Sequence, residues 1–156
     1  MDMRIKSLSL RNIRLFGDNP QTVSFDADKN IVILLGNNGS GKSTILDAAS
    51  ILLSSYVGSF PGNTAKSFKD SDVHILNDNQ VAPYLYVSMD LELENGEVCK
   101  VSRTRKGWEK SPLSEVKELK AYAEGVQLDI LTNKAKVNIP ILAYYGTGRG
   151  QIKAPE

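Results

Sequence analysis

The sequence has little of several things, and each shortage excludes a class of protein. It has one cysteine, Cys99, so no disulfide can form within the chain. No uninterrupted apolar run is longer than the five residues 31–35, whereas a membrane helix needs roughly 20. Its 19 basic and 18 acidic residues leave a net charge of +1, too little to attract nucleic acid to the chain as a whole. The composition therefore predicts a globular, cytoplasmic protein without a membrane segment.

What the sequence does have is a mixture of strand and helix patterns, which predicts an α/β fold. Residues 3–16 are typical of a strand and a polar turn, and Ile5 falls out of phase, which indicates a bulge or a change of face. A short strand is expected at 21–25. Residues 31–35 are apolar and rich in β-branched side chains, so we expect a central strand buried on both faces.

The next part of the chain alternates between the two patterns. Apolar residues at helical spacing predict a helix from Lys42 to about residue 57. After a polar connection over 58–82, strict alternation and the pair Asn95-Gly96 predict an antiparallel hairpin at about 84–104.

Two further elements are expected beyond the hairpin. The pair Ser111-Pro112 favours the start of a helix over about 112–124, which Gly125 should end. Residues 139–145 are expected to form a second buried strand, followed by a glycine-rich loop.

One motif carries chemistry, and it fits the pattern G-x-x-x-x-G-K-[ST] without departure. Its residues are Gly36, Asn37, Asn38, Gly39, Ser40, Gly41, Lys42 and Ser43. The four fixed positions coincide by chance in roughly one chain of this length in 200. The predicted strand before the motif and helix after it make the match more specific still.

Each residue type in this P-loop has a physical role. Glycines let the backbone approach phosphates, and the loop N–H groups and the start of the following helix form an anion site. Lys42 is expected to act catalytically by placing its charge on the β- and γ-phosphates, and Ser43 to coordinate Mg²⁺. The motif therefore predicts a site for a nucleoside triphosphate, most simply ATP with Mg²⁺. The alternative is a glycine-rich turn that binds nothing.

The motif and its surroundings resemble a known family. Residues 34–48, in which Lys42-Ser43-Thr44 is followed by Ile45-Leu46-Asp47-Ala48, resemble the Walker A region of SMC, RecF and RecN-type ATPases of the ABC-type superclass. Residues 8–16 are similar to the first strand and turn of that family, and the hairpin to its antiparallel β-subdomain. Residues 139–149 resemble bacterial "AAA family" SMC-like ATPases, some virulence-associated and some found in anti-phage systems.

The resemblance implies a P-loop core sheet with a flanking antiparallel β-subdomain. It implies that residues 36–43 and the adjacent Thr44 bind ATP, with further contacts from Arg11 and Asn12 and the neighbouring Arg14. Two copies of the whole protein would clamp ATP between them as a homodimer. The output would be DNA handling or activation of an effector such as a nuclease.

Several elements of that family have no counterpart in the sequence. It contains no Leu-Ser-Gly-Gly signature and no strand ending in Asp-Glu after residue 45, which would be Walker B. We therefore expect residues 1–156 to be the N-terminal lobe of a longer ATPase, which hydrolyses ATP only with its C-terminal lobe. The alternatives are a P-loop kinase for a small molecule and a non-catalytic nucleotide-binding assembly module.

Weaker candidates complete the sequence prediction. A glutamine that contacts the metal in related ATPases has possible counterparts in Gln80 or, by position, in Thr147 or Arg149. Two aromatic or titratable residues, His74 and Trp108, are expected to be structural or exposed, although the basic residues beside Trp108 leave a nucleic-acid contact open.

Overall fold

The computed structural model of the chain describes residues 3–26, 28–132 and 137–146. Four strands form one antiparallel sheet in the order β2-β1-β3-β4. They are β1 (Arg4–Arg11), β2 (Gln21–Ser24), β3 (Tyr84–Glu92) and β4 (Val98–Lys106). The helices α1 (Lys42–Val57) and α2 (Lys117–Leu131) pack against this sheet, and a short 3-10 helix covers Asp70–Asp72. No helix of this described part is long and apolar enough to cross a membrane.

The hairpin of β3 and β4 forms as predicted, because its alternation matches the two faces of a pleated sheet. Leu85, Val87 and Met89 of β3 are at most 1% exposed and belong to the core. Gly96 in the turn has a φ of 81°, a left-handed conformation that glycine adopts without strain.

The predicted irregularity at the start of β1 is a bulge. Ile5 pairs with Leu91 and Ser7 with the adjacent Asp90, so the residue between Ile5 and Ser7 has no partner in the ladder. The extra residue returns Leu8 to the phase in which it is completely buried. The bulge thus reconciles the out-of-phase Ile5 with the alternation that follows.

Helix α1 has the predicted bounds and is apolar on more than one side. Ala48 and Leu52 are completely buried in the core beside the sheet. Ile45 also packs against the core, but it lines an open cleft as well, together with Leu46, whose side chain is 52% exposed. The helix therefore packs on the sheet and leaves another apolar side only partly covered.

The prediction for the second helix is wrong at both ends. Ser102 of β4 and Glu115 exchange both backbone hydrogen bonds, at 2.7 and 3.1 Å. This pairing keeps the chain after Pro112 beside β4, so α2 begins only at Lys117. The helix then continues through Gly125, and the next residue, Val126, is 7% exposed.

The two predicted buried strands are also wrong. Residues 31–35 and 139–145 carry no strand, and all four strands of the described part belong to the antiparallel sheet. The side chains of Ile33 and Ile141 are 74% and 91% exposed. A buried central strand needs hydrogen-bonded neighbours and cover on both faces. Within the described residues neither segment belongs to the sheet, and these two isoleucines are not covered.

Candidate functional site

The candidate site is the loop of residues 36–43, which joins residues 31–35 to α1. Two of its glycines adopt left-handed conformations, with φ of 82° at Gly39 and 93° at Gly41. At Gly41 a Cβ atom would also lie 2.9 Å from the ring of Phe16. Glycine is therefore required there for two reasons, and the turn after β1 packs directly against the loop.

Helix α1 begins at this loop without a capping side chain. Its N-cap residue is Gly41, and no acidic residue lies in the first turn. The first N–H groups of a helix have no partner within it, and the helix dipole adds partial positive charge. The start of α1 therefore favours an anion such as phosphate.

The Lys42 ammonium lies inside the loop. Its Nζ donates to the carbonyl oxygens of Gly36 at 2.5 Å and Asn37 at 2.6 Å, and to Ser40 Oγ at 3.2 Å. All three acceptors are neutral, and within the described part no carboxylate forms an ion pair with Lys42. The positive charge is thus available to an anion that enters the loop.

The donor groups fit Mg²⁺ bound together with a nucleotide. Ser43 is exposed at the first turn of α1, whereas Thr44 as a whole is only 4% exposed, so a contact of Thr44 with the nucleotide stays a prediction. No group of three or more His, Cys, Asp or Glu in the described ranges can hold a metal alone. Mg²⁺ commonly keeps waters and shares phosphate oxygens, so one or two protein ligands are enough.

The side chains of Arg11 and Asn12 are engaged within the protein. Arg11 Nη2 donates to Asp18 Oδ1 at 2.7 Å, and its guanidinium lies 5.2 Å from the centre of the Tyr84 ring. The hydrogen bond from Arg11 is the main reason that the pKa of Asp18 is lowered. Asn12 is completely buried. Contact of either residue with a nucleotide stays a prediction.

The same turn contributes Arg14 to what we call the Asp47 cluster, which consists of Arg14, Asp47, Asp72 and Tyr144. Arg14 Nη1 donates to Asp47 Oδ2 at 2.6 Å, and Nη2 donates to Asp72 Oδ1 at 2.8 Å. The Tyr144 hydroxyl donates to the other oxygen of Asp47. The cluster therefore connects α1 with three other segments of the chain.

The protonation of the cluster follows from these contacts. Burial alone would lower the pKa of Arg14, but its hydrogen bonds to Asp72 and Asp47 outweigh burial and raise it. The hydrogen bond to Asp47 is the main reason that the pKa of Tyr144 is raised. Both groups therefore keep their protons and remain donors.

Comparison with known proteins identifies the family. Residues 7–156 match the family AAA_23, described as an AAA domain. The chain belongs to this AAA-domain family. Over 151 residues, 94% of this chain, it is 31% identical to the Retron Vc95 probable ATPase of Vibrio cholerae serotype O1 biovar El Tor. The match covers 28% of that relative, so this AAA domain spans little more than a quarter of its length.

Solved structures give the fold of the AAA domain. It superposes with a TM-score of 0.53 on a structure from a study of ATP-driven dimerization and DNA-stimulated activation of SMC ATPases, at 20% identity over 82% of this chain and 77% of that one. The Smc head domain of Pyrococcus furiosus, bound to the C-terminal domain of ScpA, superposes with a TM-score of 0.53. The identity is 20%, over 83% of this chain and 33% of that one. The α/β class and the resemblance to SMC-type ATPases are thus confirmed.

The weaker candidates of the sequence analysis that the structure describes are exposed or in contact with other parts of the protein. Gln80 is exposed in a turn of the polar connection, and Trp108 is 60% exposed. His74 Nδ1 lies 2.5 Å from a carbonyl oxygen of the turn after β1, which supports a structural role. Thr147 and Arg149 lie outside the described residues.

Sequence reasoning missed most of the Asp47 cluster. The sequence predicts only a nucleotide contact for Arg14 and indicates no role in a side-chain cluster for Asp47, Asp72 or Tyr144. One signal was available: Asp47 lies four residues after Ser43 in a predicted helix, so both project from the same face. Asp72 and Tyr144 meet Asp47 only through the fold, and no spacing in the sequence indicates that.

Proposed function

We propose that this AAA domain binds ATP with Mg²⁺ through residues 36–44. We further propose that it is the N-terminal lobe of an ATP-driven dimerising switch. The observation that carries the proposal is the position of the Lys42 ammonium, which rests on neutral carbonyl oxygens inside a loop at the uncapped start of α1. This arrangement suits a polyphosphate.

The residues of the chain would act by binding and orienting the nucleotide. Lys42 would donate to phosphate oxygens in place of the carbonyls of Gly36 and Asn37, and the N–H groups of the loop and the first turn of α1 would donate to the same anion. The exposed Ser43 hydroxyl provides the protein ligand for Mg²⁺. The bound metal would neutralise charge on the β- and γ-phosphates.

Hydrolysis also requires an oriented water molecule and a stable metal site. We propose that the C-terminal lobe of a longer protein supplies them, and that two such proteins clamp ATP between their lobes. The AAA domain spans only 28% of its retron relative, and residues 31–35 and 139–145 present apolar side chains for a covering lobe. The SMC ATPase structure comes from work on ATP-driven dimerization and DNA-stimulated activation. DNA or an effector nuclease is the partner that we propose for the assembled switch.

Calorimetric titration with ATP and Mg²⁺ tests the binding step. We expect the wild-type chain to bind and Lys42→Ala to lose at least roughly tenfold in affinity, since charge-assisted bonds to phosphate are among the strongest in proteins. Lys120→Ala, which removes an exposed lysine from α2, is the matched control and should bind normally.

Equal affinity of wild type and Lys42→Ala would contradict the proposal, and so would a wild-type chain that does not bind. The switch itself is tested on a protein that carries both lobes. Sedimentation should show ATP-dependent dimers, and phosphate release should follow dimerisation. Dimers without turnover would favour a non-catalytic assembly module, and phosphate transfer to an added acceptor would favour a kinase.

A further inference from the structure

Four segments of the chain are joined around Asp47, whose carboxylate contacts Arg14 and Tyr144 directly and Asp72 only through Arg14. Asp47 belongs to α1, Arg14 to the turn after β1, Asp72 to the 3-10 helix in the polar connection, and Tyr144 to the segment 137–146. A cleft of about 380 Å³ beside α1 is lined in part by these residues and by Ser50. The P-loop helix is therefore fixed laterally by contacts that lie outside the P-loop.

Both oxygens of Asp47 are used inside the protein. Oδ2 accepts from Arg14 and Oδ1 accepts from Tyr144, so neither is directed to a ligand. Asp72, the other partner of Arg14, is 5% exposed and also accepts from the backbone N–H of Lys69 at 2.8 Å. The carboxylates of Asp47 and Asp72 therefore accept hydrogen bonds from protein groups, whereas those of a metal site direct their oxygens to the ion.

The position of Asp47 on α1 shows which part of the candidate site the Asp47 cluster can influence. Asp47 lies four residues after Ser43, so the two side chains lie on one face, one turn apart. Lys42, in contrast, is held by carbonyl oxygens of the loop itself. Loosening Asp47 should therefore disturb Ser43 more than it disturbs the loop and Lys42.

We propose that Asp47, held by Arg14 and Tyr144, is a positioning residue that sets the first turn of α1 so that Ser43 reaches the metal of a bound Mg²⁺–nucleotide complex. The inference rests on the proposed function. The backbone of Arg14 supports it, because a φ of 48° is a left-handed conformation that is unfavourable for arginine, and this turn adopts it where the guanidinium reaches Asp47.

The test compares ATP affinity with Mg²⁺ and with EDTA, measured by calorimetry on the same chain. Asp47→Asn keeps the shape of the side chain but weakens its bond to Arg14. We expect the gain in affinity that Mg²⁺ provides to fall by roughly tenfold, as is usual when a group supporting a metal ligand is changed. Affinity in EDTA should stay within about twofold of wild type. Ser43→Ala should remove the same Mg²⁺-dependent gain.

Two further variants keep the result interpretable if Asp47→Asn folds poorly. Tyr144→Phe loses only the hydroxyl that donates to Asp47 and should show a smaller change in the same direction. Ser50 lines the same cleft and accepts a hydrogen bond from Lys66. Ser50→Ala is therefore the matched control and should leave the Mg²⁺-dependent gain in affinity unchanged.

The outcomes separate the inference from the proposed function. A wild-type chain that binds no nucleotide overturns both. A wild-type chain that binds, with Asp47→Asn and Tyr144→Phe losing affinity equally with and without Mg²⁺, overturns only the positioning role. A selective loss of the Mg²⁺-dependent gain supports it.

Discussion

At the scale of single residues, unfavourable conformations are concentrated in the turn after β1. Asn12 and Arg14 both have positive φ, at 55° and 48°. Asparagine adopts this conformation more readily than most residues, whereas for Arg14 it costs about 1–2 kcal/mol. The Oδ1 atom of Asn12 is also buried without a hydrogen-bond partner. The turn nevertheless packs Phe16 on Gly41 and joins Arg14 to two carboxylates. These contacts offset the cost and hold the turn against the P-loop.

Cys99 gives a pH-dependent prediction at the same scale. Burial, followed by the nearby Glu118, raises the pKa of its thiol from 9.0 to about 11. The unfolded chain therefore loses the thiol proton first as pH rises, so this contribution to stability is complete below pH 9 and is lost between about pH 9 and 11. Between pH 8 and 10.5, the free energy of unfolding should fall by about 2 kcal/mol more in wild type than in Cys99→Ala.

Urea unfolding at the two pH values measures this difference. Every other titratable group is present in both proteins, so the comparison isolates Cys99. Parallel loss of stability in wild type and variant would mean that the thiol is not buried as the structure has it.

At the scale of elements, the local patterns succeeded where a residue's neighbours in space are also its neighbours in sequence. The β3–β4 hairpin needs only alternation and the Asn95-Gly96 turn, and α1 needs only its own periodicity. The start of α2 was missed because Ser102 pairs with Glu115 across a loop, a contact that no helix signal contains. Capping preferences at Pro112 were overridden by this pairing.

The continuation of α2 through Gly125 makes a prediction of opposite sign to the sequence expectation. Gly125 is an exposed glycine inside the helix, and an added Cβ atom would meet nothing within 4 Å. Gly125→Ala should therefore raise the free energy of unfolding by about 0.5–1 kcal/mol. A left-handed glycine ending the helix would give a loss instead. Gly96→Ala, at a φ of 81°, is the control and should lower stability in the same urea titration.

At the scale of the whole molecule, the sequence predicted the position of the loop and of α1 better than it predicted the segments around them. The P-loop and α1 have the expected positions because the motif and the helix are local. The segments 31–35 and 139–145 have the apolar composition of buried strands. In the described part of the chain, however, nothing buries them on both faces.

The exposure of these two apolar segments is testable with two charged substitutions. In this chain Ile33 and Ile141 are 74% and 91% exposed, so Ile33→Lys and Ile141→Lys should change the free energy of unfolding by less than about 0.5 kcal/mol. Both should reduce self-association and binding of a hydrophobic dye, because each removes part of an exposed apolar segment. Leu113→Lys, at a leucine that is 73% exposed in another segment, is the control and should leave dye binding by the two apolar segments unchanged. If the two isoleucines were instead buried in strands of the isolated chain, each lysine would carry an unpaired charge into the interior, and urea titration would show a loss of several kcal/mol.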